Sequence, residues 1–305
     1  MNERRSRIRR TRTGKRLALT PRDIDIFRAV SRYRYLRSTY LHAFVGGASE
    51  TRFKERLGDL FHEGYLDRPS QQWQFADALH APVVYESGEG ARRALCESGI
   101  AVDEPRTLLA QTAHRQFQHS LMICELLASL EIATRGVPGL GFIPWSEVLA
   151  RAPEATRASP RPFQLSLPSG AYLVPDGLFG LEYVQDAKKS YRFFALEADR
   201  GTMPVERSDK GQTSYLAKLA GYQGIIAQRA YKTTWGTPNL LVLTVTTSES
   251  RLQEIMQRLA ANGGGHAAFL FKSAMGSDLR RPMLRLLLQP WQRAVPQPMR
   301  IDSSQ

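Results

Sequence analysis

Leu196-Glu197-Ala198-Asp199-Arg200-Gly201-Thr202, preceded by Val174-Pro175-Asp176-Gly177, is the stretch that decides the fold of the second half of the chain. Side chains alternate along a strand, so Tyr191, Phe193, Ala195, Glu197 and Asp199 share one face. If 171–183 and 191–199 form a hairpin, Asp176 falls opposite Glu197 when the turn centres between Asp186 and Ala187. The polar stretch 184–190 is centred within a residue of that point. Directly opposed residues have Cβ atoms roughly 5 Å apart. Three carboxylates then crowd one patch, which is unfavourable unless a cation neutralises them. A one-residue slip would turn Asp176 to the other face. Asp176, Glu197 and Asp199 are therefore candidate ligands for Mg²⁺ or Mn²⁺, a hard cation that polarises a phosphate and activates water. Downstream, Lys210, Ser214 and Lys218 fall at i, i+4 and i+8 of a helix expected over 205–230, flanked by Tyr215 and Tyr222. Lys218 completes the candidate catalytic set Asp176, Glu197, Asp199 and Lys218.

The surrounding pattern reads as a helix over 112–133, strands at 142–148, 171–183 and 191–199, and the helix over 205–230. A strand at 239–246, a helix at 249–261 and a strand at 267–272 follow. This α-β-β-β-α-β-α-β order describes a mixed sheet flanked by helices. The Pro/Arg/Ser-rich segment 151–170 reads as an exposed loop, and 276–305 as a basic, irregular tail. His114 and His119 are five apart with no Cys or acid to complete a zinc pattern, so a polar helix face is expected.

Thr20-Pro21-Arg22-Asp23 opens the first half with a hydroxyl cap, a first-turn Pro and an acid three residues after the cap. Ile24, Phe27 and Val30 recur at helical spacing. A short helix follows, capped by Ser38, with Leu41 and Phe44 inward and Gly46-Gly47 as its breaker. Ser49 caps a third helix with an apolar stripe of Phe53, Leu57, Leu60 and Phe61. Its other face shows Thr51, Arg52, Glu55 and Arg56. Strands at 65–66 and 82–85 enclose a polar stretch, and Glu89–Glu97 is a further helix. Helix, short helix, turn, helix and hairpin is the order of a winged helix-turn-helix, whose third helix enters the DNA major groove. Arg52, Lys54 and Arg56 are the candidate DNA contacts.

A chain of 305 residues with 42% apolar content normally forms two domains. The net charge is +13, and residues 1–16 carry eight Lys/Arg against one acid. Such an arm is expected to be disordered and to seek polyanions, because phosphate contacts release counterions; Arg9, Arg10 and Arg12 are further DNA contacts. The expected division is an arm over 1–17, a winged helix over 18–98, a linker over 99–111, the mixed-sheet domain over 112–275 and the tail. Cys96 and Cys124 read as core thiols of a reducing cytosol. No apolar run approaches the roughly 18 residues of a membrane span, and the Arg-rich start has no apolar stretch behind it, so a cytoplasmic location is expected.

Pro175-Asp176-Gly177, Leu196 to Thr202, and Lys218-Leu219-Ala220-Gly221-Tyr222 resemble, in this order, the bacterial replication-relaxation family, over about residues 18–250. The resemblance implies a protein of plasmid replication or conjugative mobilisation that binds double-stranded DNA at an origin and nicks it with Mg²⁺. Its further expected partners are mobilisation or replication proteins and a second copy in a homodimer. The core order also resembles the PD-(D/E)xK, restriction-endonuclease-like fold, with an overall α+β class. That likeness implies Asp176 as its lone Asp, Glu197 as the acid of Glu-x-Lys and Glu125 as the acid of the first helix. Asp199 stands where that pattern has Lys, so Lys218 or Lys210 would supply the cation from the helix. The His-x-His cluster of DNA-nicking relaxases is missing, which sets aside Tyr215 and Tyr222 as nucleophiles. The alternative is a non-catalytic DNA-binding accessory or transcriptional regulator with a degenerate nuclease-like domain that recruits a partner.

Overall fold

The computed structural model describes residues 6–14, 17–47, 49–101, 114–167, 170–206, 214–261, 267–294 and 297–303. Arg4, Arg5, Lys15 and Arg16 of the arm, most of the expected linker, Lys210 and the side chain of His114 lie outside these. Two compact units are formed: residues 1–128 with 280–282, and residues 129–279 with 283–305.

In the first unit, α1 (Pro21–Tyr33) starts with a complete capping box: Thr20 accepts from the Asp23 amide, and Asp23 accepts from the Thr20 amide at 2.8 Å. Ile26, Phe27 and Val30 are its buried stripe. β1 (Leu36–Arg37), absent from the sequence expectation, leads into α2 (Ser38–Val45), whose N-cap is Arg37 rather than Ser38. Gly46 and Gly47 at φ +68° and +113° end α2, a conformation that favours glycine. α3 (Glu50–His62) is capped by the Ser49 hydroxyl and buries Phe53, Leu57, Leu60, Phe61 and His62. β2 (Leu66–Asp67) and β3 (Val84–Ser87) complete a three-stranded sheet in the order β1-β3-β2, and α4 spans Glu89–Glu97. Residues 6–14, expected as part of a loose arm, are held: Arg10 donates to the carbonyls of Phe61 and Leu66 at 2.8 Å each, and the Thr11 amide to His62 Nδ1 at 3.0 Å. A guanidinium has several donors in a fixed fork, so one Arg10 side chain joins the end of α3 to β2. The division between the units falls within α5 (His114–Thr134).

The second unit is built on a five-stranded mixed sheet in the order β10-β9-β8-β7-β4. β4 (Leu140–Pro144) is shorter than expected because Pro144 caps α6 (Trp145–Ala150), so the expected strand to 148 turns helical after 144. The expected loop 151–170 instead carries α7 (Glu154–Arg157) and β5 (Leu165–Ser166), with Phe163 and Leu165 buried. β5 pairs with β6 (Tyr172–Leu173). β7 (Gly177–Gln185) and β8 (Lys188–Asp199) form the central hairpin, joined by Asp186 and Ala187 at φ +49° and +60°. Two positive-φ residues make the tight turn whose twist matches that of the strands. The expected helix 205–230 begins at α8 (Tyr215–Ala227), with Ser214 as its N-cap; Arg229, at φ +55°, separates it from α9 (Ala230–Trp235). β9 (Leu241–Thr246), α10 (Glu249–Ala261) and β10 (Phe269–Ser273) follow, with β8, β9 and β10 mutually parallel. The expected irregular tail contains α11 (Arg285–Leu288) and buries Leu286, Leu287, Trp291 and Ile301 completely.

Candidate functional site

β8 is the middle strand of its sheet, and every residue from Phe193 to Asp199 is buried. Gly177 pairs with Leu196. That is the register in which Asp176, one residue outside the ladder, faces Glu197. The Asp176 carboxylate turns onto the chain there, with Oδ2 accepting from the Ala198 amide at 2.9 Å. The segment leading into Asp176 is set against α8: a Cβ at Gly221 would lie 3.2 Å from Leu173 and 3.3 Å from Leu167. Gly221 thus allows a close approach between that segment and the helix that carries Lys218 and Tyr222.

Glu197 is fully enclosed, and each of its oxygens has a donor: Lys218 Nζ on Oε2 and the Tyr222 hydroxyl on Oε1. Lys218 and Tyr222 are four apart, so both project from one face of α8. Burial pushes Glu197 up to about 8; Lys218 and Tyr222 act against the rise, and Asp176 adds to it. Burial also works against the charge of Lys218, but Glu197 and Asp176 outweigh it and hold the amine above its ordinary value. Both members move upward, so the cluster retains protons, the result of placing two acids in a poorly solvated pocket. Tyr215 donates to or accepts from Thr244 Oγ1 at 2.8 Å, and burial raises both tyrosine hydroxyls well above their ordinary value.

Asp199 lies on the same face of β8 but is committed elsewhere. Arg251 Nε reaches its Oδ2 at 2.8 Å, and the Gly201 amide reaches Oδ1 at 3.0 Å. Among the described residues, no three or more His, Cys, Asp or Glu side chains come together as a metal-holding group. Asp176 and Glu197 offer the one or two carboxylates that Mg²⁺ commonly takes, whereas Asp199 does not fit that set. Arg251 was missed in the sequence because it becomes a neighbour of Asp199 only through parallel pairing. That pairing brings the start of α10 past the end of β8. The expected first-helix acid, Glu125, is in the first unit, where its Oε1 accepts from Arg37 Nε at 2.5 Å.

The candidate DNA contacts separate in the same way. Arg56 forms a two-pronged pair with the buried Asp23, at 3.0 and 2.7 Å, and also donates to the Ala18 carbonyl. It joins α3 to α1 and is not turned outward. Arg52 is exposed with no side-chain hydrogen bond or salt bridge among the described residues, and Lys54 is exposed in an i,i+4 pair with Glu50 at 2.8 Å. A groove of about 750 Å³ runs along Thr51, Lys54, Glu55 and Gly58 of α3. Arg9 and Arg12 are exposed, whereas Arg10 is spent on the end of α3 and on Asp67. Of the two thiols, Cys124 is buried and Cys96, against expectation, is exposed. No helix among the described residues is long and apolar enough to cross a membrane.

No curated protein and no solved structure matches the chain. A family model described as replication-relaxation matches residues 27–241, more than two thirds of the sequence, including Asp176, Glu197, Asp199 and Lys218. The chain belongs to the replication-relaxation family.

Proposed function

We propose that this protein binds duplex DNA during replication or mobilisation of a plasmid or other mobile element, and nicks it. In this reading the first unit is a winged helix-turn-helix that presents α3 to the major groove. The second unit is a PD-(D/E)xK-like phosphodiester site. The observation that carries the reading is the meeting of Asp176, Glu197 and Lys218 where β8 ends, in a member of the replication-relaxation family. Lys218 holds a positive charge beside the two acids and would stabilise charge developing on a phosphate. Tyr222 keeps Glu197 oriented. Asp176 and Glu197 would hold Mg²⁺ or Mn²⁺, which supplies Lewis acidity and an activated water. Asp199 orients Arg251 and closes the first turn after β8.

A second reading is favoured by a specific observation: both Glu197 oxygens are already held by Lys218 and Tyr222. In that reading the domain no longer cuts, and the protein is a DNA-binding accessory that recruits a replication or mobilisation partner. Incubation with supercoiled plasmid and Mg²⁺ or Mn²⁺ separates the two. Nicking by the wild type that disappears in Glu197→Gln supports the first. Tight, salt-sensitive duplex binding without nicking in either metal overturns it in favour of the second.

A further inference from the structure

Residues 280–282 lie far beyond the family match, yet they belong to the first unit. Three contacts fix them there. Thr39 Oγ1 donates to the Arg280 carbonyl at 2.5 Å, Tyr40 donates its hydroxyl to the Arg281 carbonyl at 3.1 Å, and the Arg280 guanidinium pairs with Asp77. Pro282 further restricts Arg281 to extended backbone. With its backbone held and its neighbour's charge used, Arg281 is left exposed. Its side chain has no hydrogen bond or salt bridge among the described residues. It lines the groove along Thr51, Lys54, Glu55 and Gly58, the outward face of α3. Its charge reaches Glu50 in the first turn of that helix, helping to hold the Glu50 carboxyl below its ordinary value after Lys54, the main cause.

We propose that Arg281 is a DNA-phosphate contact: the segment 280–282 completes the duplex-binding surface of the first unit, lining the same groove as α3. The proposal rests on the reading that this unit holds duplex DNA. A segment whose backbone is already held, with one outward guanidinium, suits a phosphate oxygen: the planar fork matches the anion, and ordering on contact is confined to the side chain. Such a contact positions the duplex and carries no sequence preference.

The test is duplex binding by the full-length protein, followed by fluorescence anisotropy across a salt series, for wild type, Arg281→Ala, Arg281→Lys and Lys54→Ala. Loss of one phosphate contact makes the slope of log K against log salt shallower by about 0.9. Arg281→Ala is expected to show that change on unrelated duplexes alike, and Arg281→Lys, which keeps the charge, is expected to retain most of the slope. A wild-type slope in Arg281→Ala, while Lys54→Ala flattens it, overturns the inference and leaves the DNA reading standing. A wild type that binds no duplex overturns both.

Discussion

Glu125 illustrates what burial does to a single residue. Its carboxyl is enclosed, and burial pushes it up to about 7 even though the Arg37 guanidinium works in the other direction. The sign of the resulting pH dependence follows from the direction of the shift. The folded chain keeps a proton that the unfolded chain releases above 4.5, so this stabilising contribution is full below 4.5 and lost as pH rises through 7. Glu125→Gln keeps the neutral shape at every pH. Relative to that variant, the wild type is expected to lose up to about 1.4 kcal/mol per pH unit across this window. Urea denaturation of both proteins at about pH 5 and about pH 7 measures it; parallel behaviour would mean that Glu125 is ionised throughout. Residue types were legible in the sequence here, but their partners were not. Arg56 sits at the edge of the apolar stripe of α3, three after Phe53 and four before Leu60, and only the packing of α1 against α3 brings it to Asp23. Asp199 has the phase of a pocket acid, and Arg251, from another element, claims it.

At the scale of elements, the central hairpin was the most legible part of the chain. Alternation fixes which side chains share a face, and a polar stretch centred near 186–187 leaves one register in which both strands bury their apolar sets. The turn itself carries a local conflict. Ala187 sits at φ +60°, where a Cβ crowds the backbone. Ala187→Gly is expected to stabilise the second unit by up to about 1 kcal/mol, the relieved strain exceeding the added freedom of the unfolded chain. A rise in denaturation midpoint would show this, and no rise would place the strain elsewhere. Helix boundaries were legible where caps mark them, as at Thr20 and Ser49. Between 142 and 148 they were not, because Phe142, Ile143, Trp145 and Val148 carry strand-prone side chains through the boundary, and Pro144 serves equally as a strand end and a helix cap.

At the scale of the whole molecule, the C-terminal residues are the main difference from the sequence reading. The sequence reads as a basic, irregular tail there, yet Trp291 is completely buried, its indole donates to the Leu286 carbonyl at 2.8 Å, and Lys272 Nζ lies 4.8 Å from its ring centre. Phe271 bridges to Gln292 beside β10, and Tyr183 on β7 donates to the Ile301 carbonyl at 2.7 Å. Trp291→Ala is expected to cost about 3–5 kcal/mol, as for other large-to-small changes at fully buried positions. Guanidinium denaturation tests this: a loss under about 0.5 kcal/mol, the usual range of a surface change, would restore the irregular tail of the sequence reading.

By itself the sequence determined what is local: the helix caps at Thr20 and Ser49, the apolar stripes, the breakers, and the two-residue turn that sets Asp176 across from Glu197. These follow from backbone geometry and from side-chain periods within a few residues. Only the tertiary structure decided which charges neutralise which. Asp23 with Arg56, Glu197 with Lys218 and Asp199 with Arg251 are each brought together across long stretches of chain. A buried carboxylate needs a donor in space rather than in sequence, and which donor arrives is set by the packing of the elements that carry it.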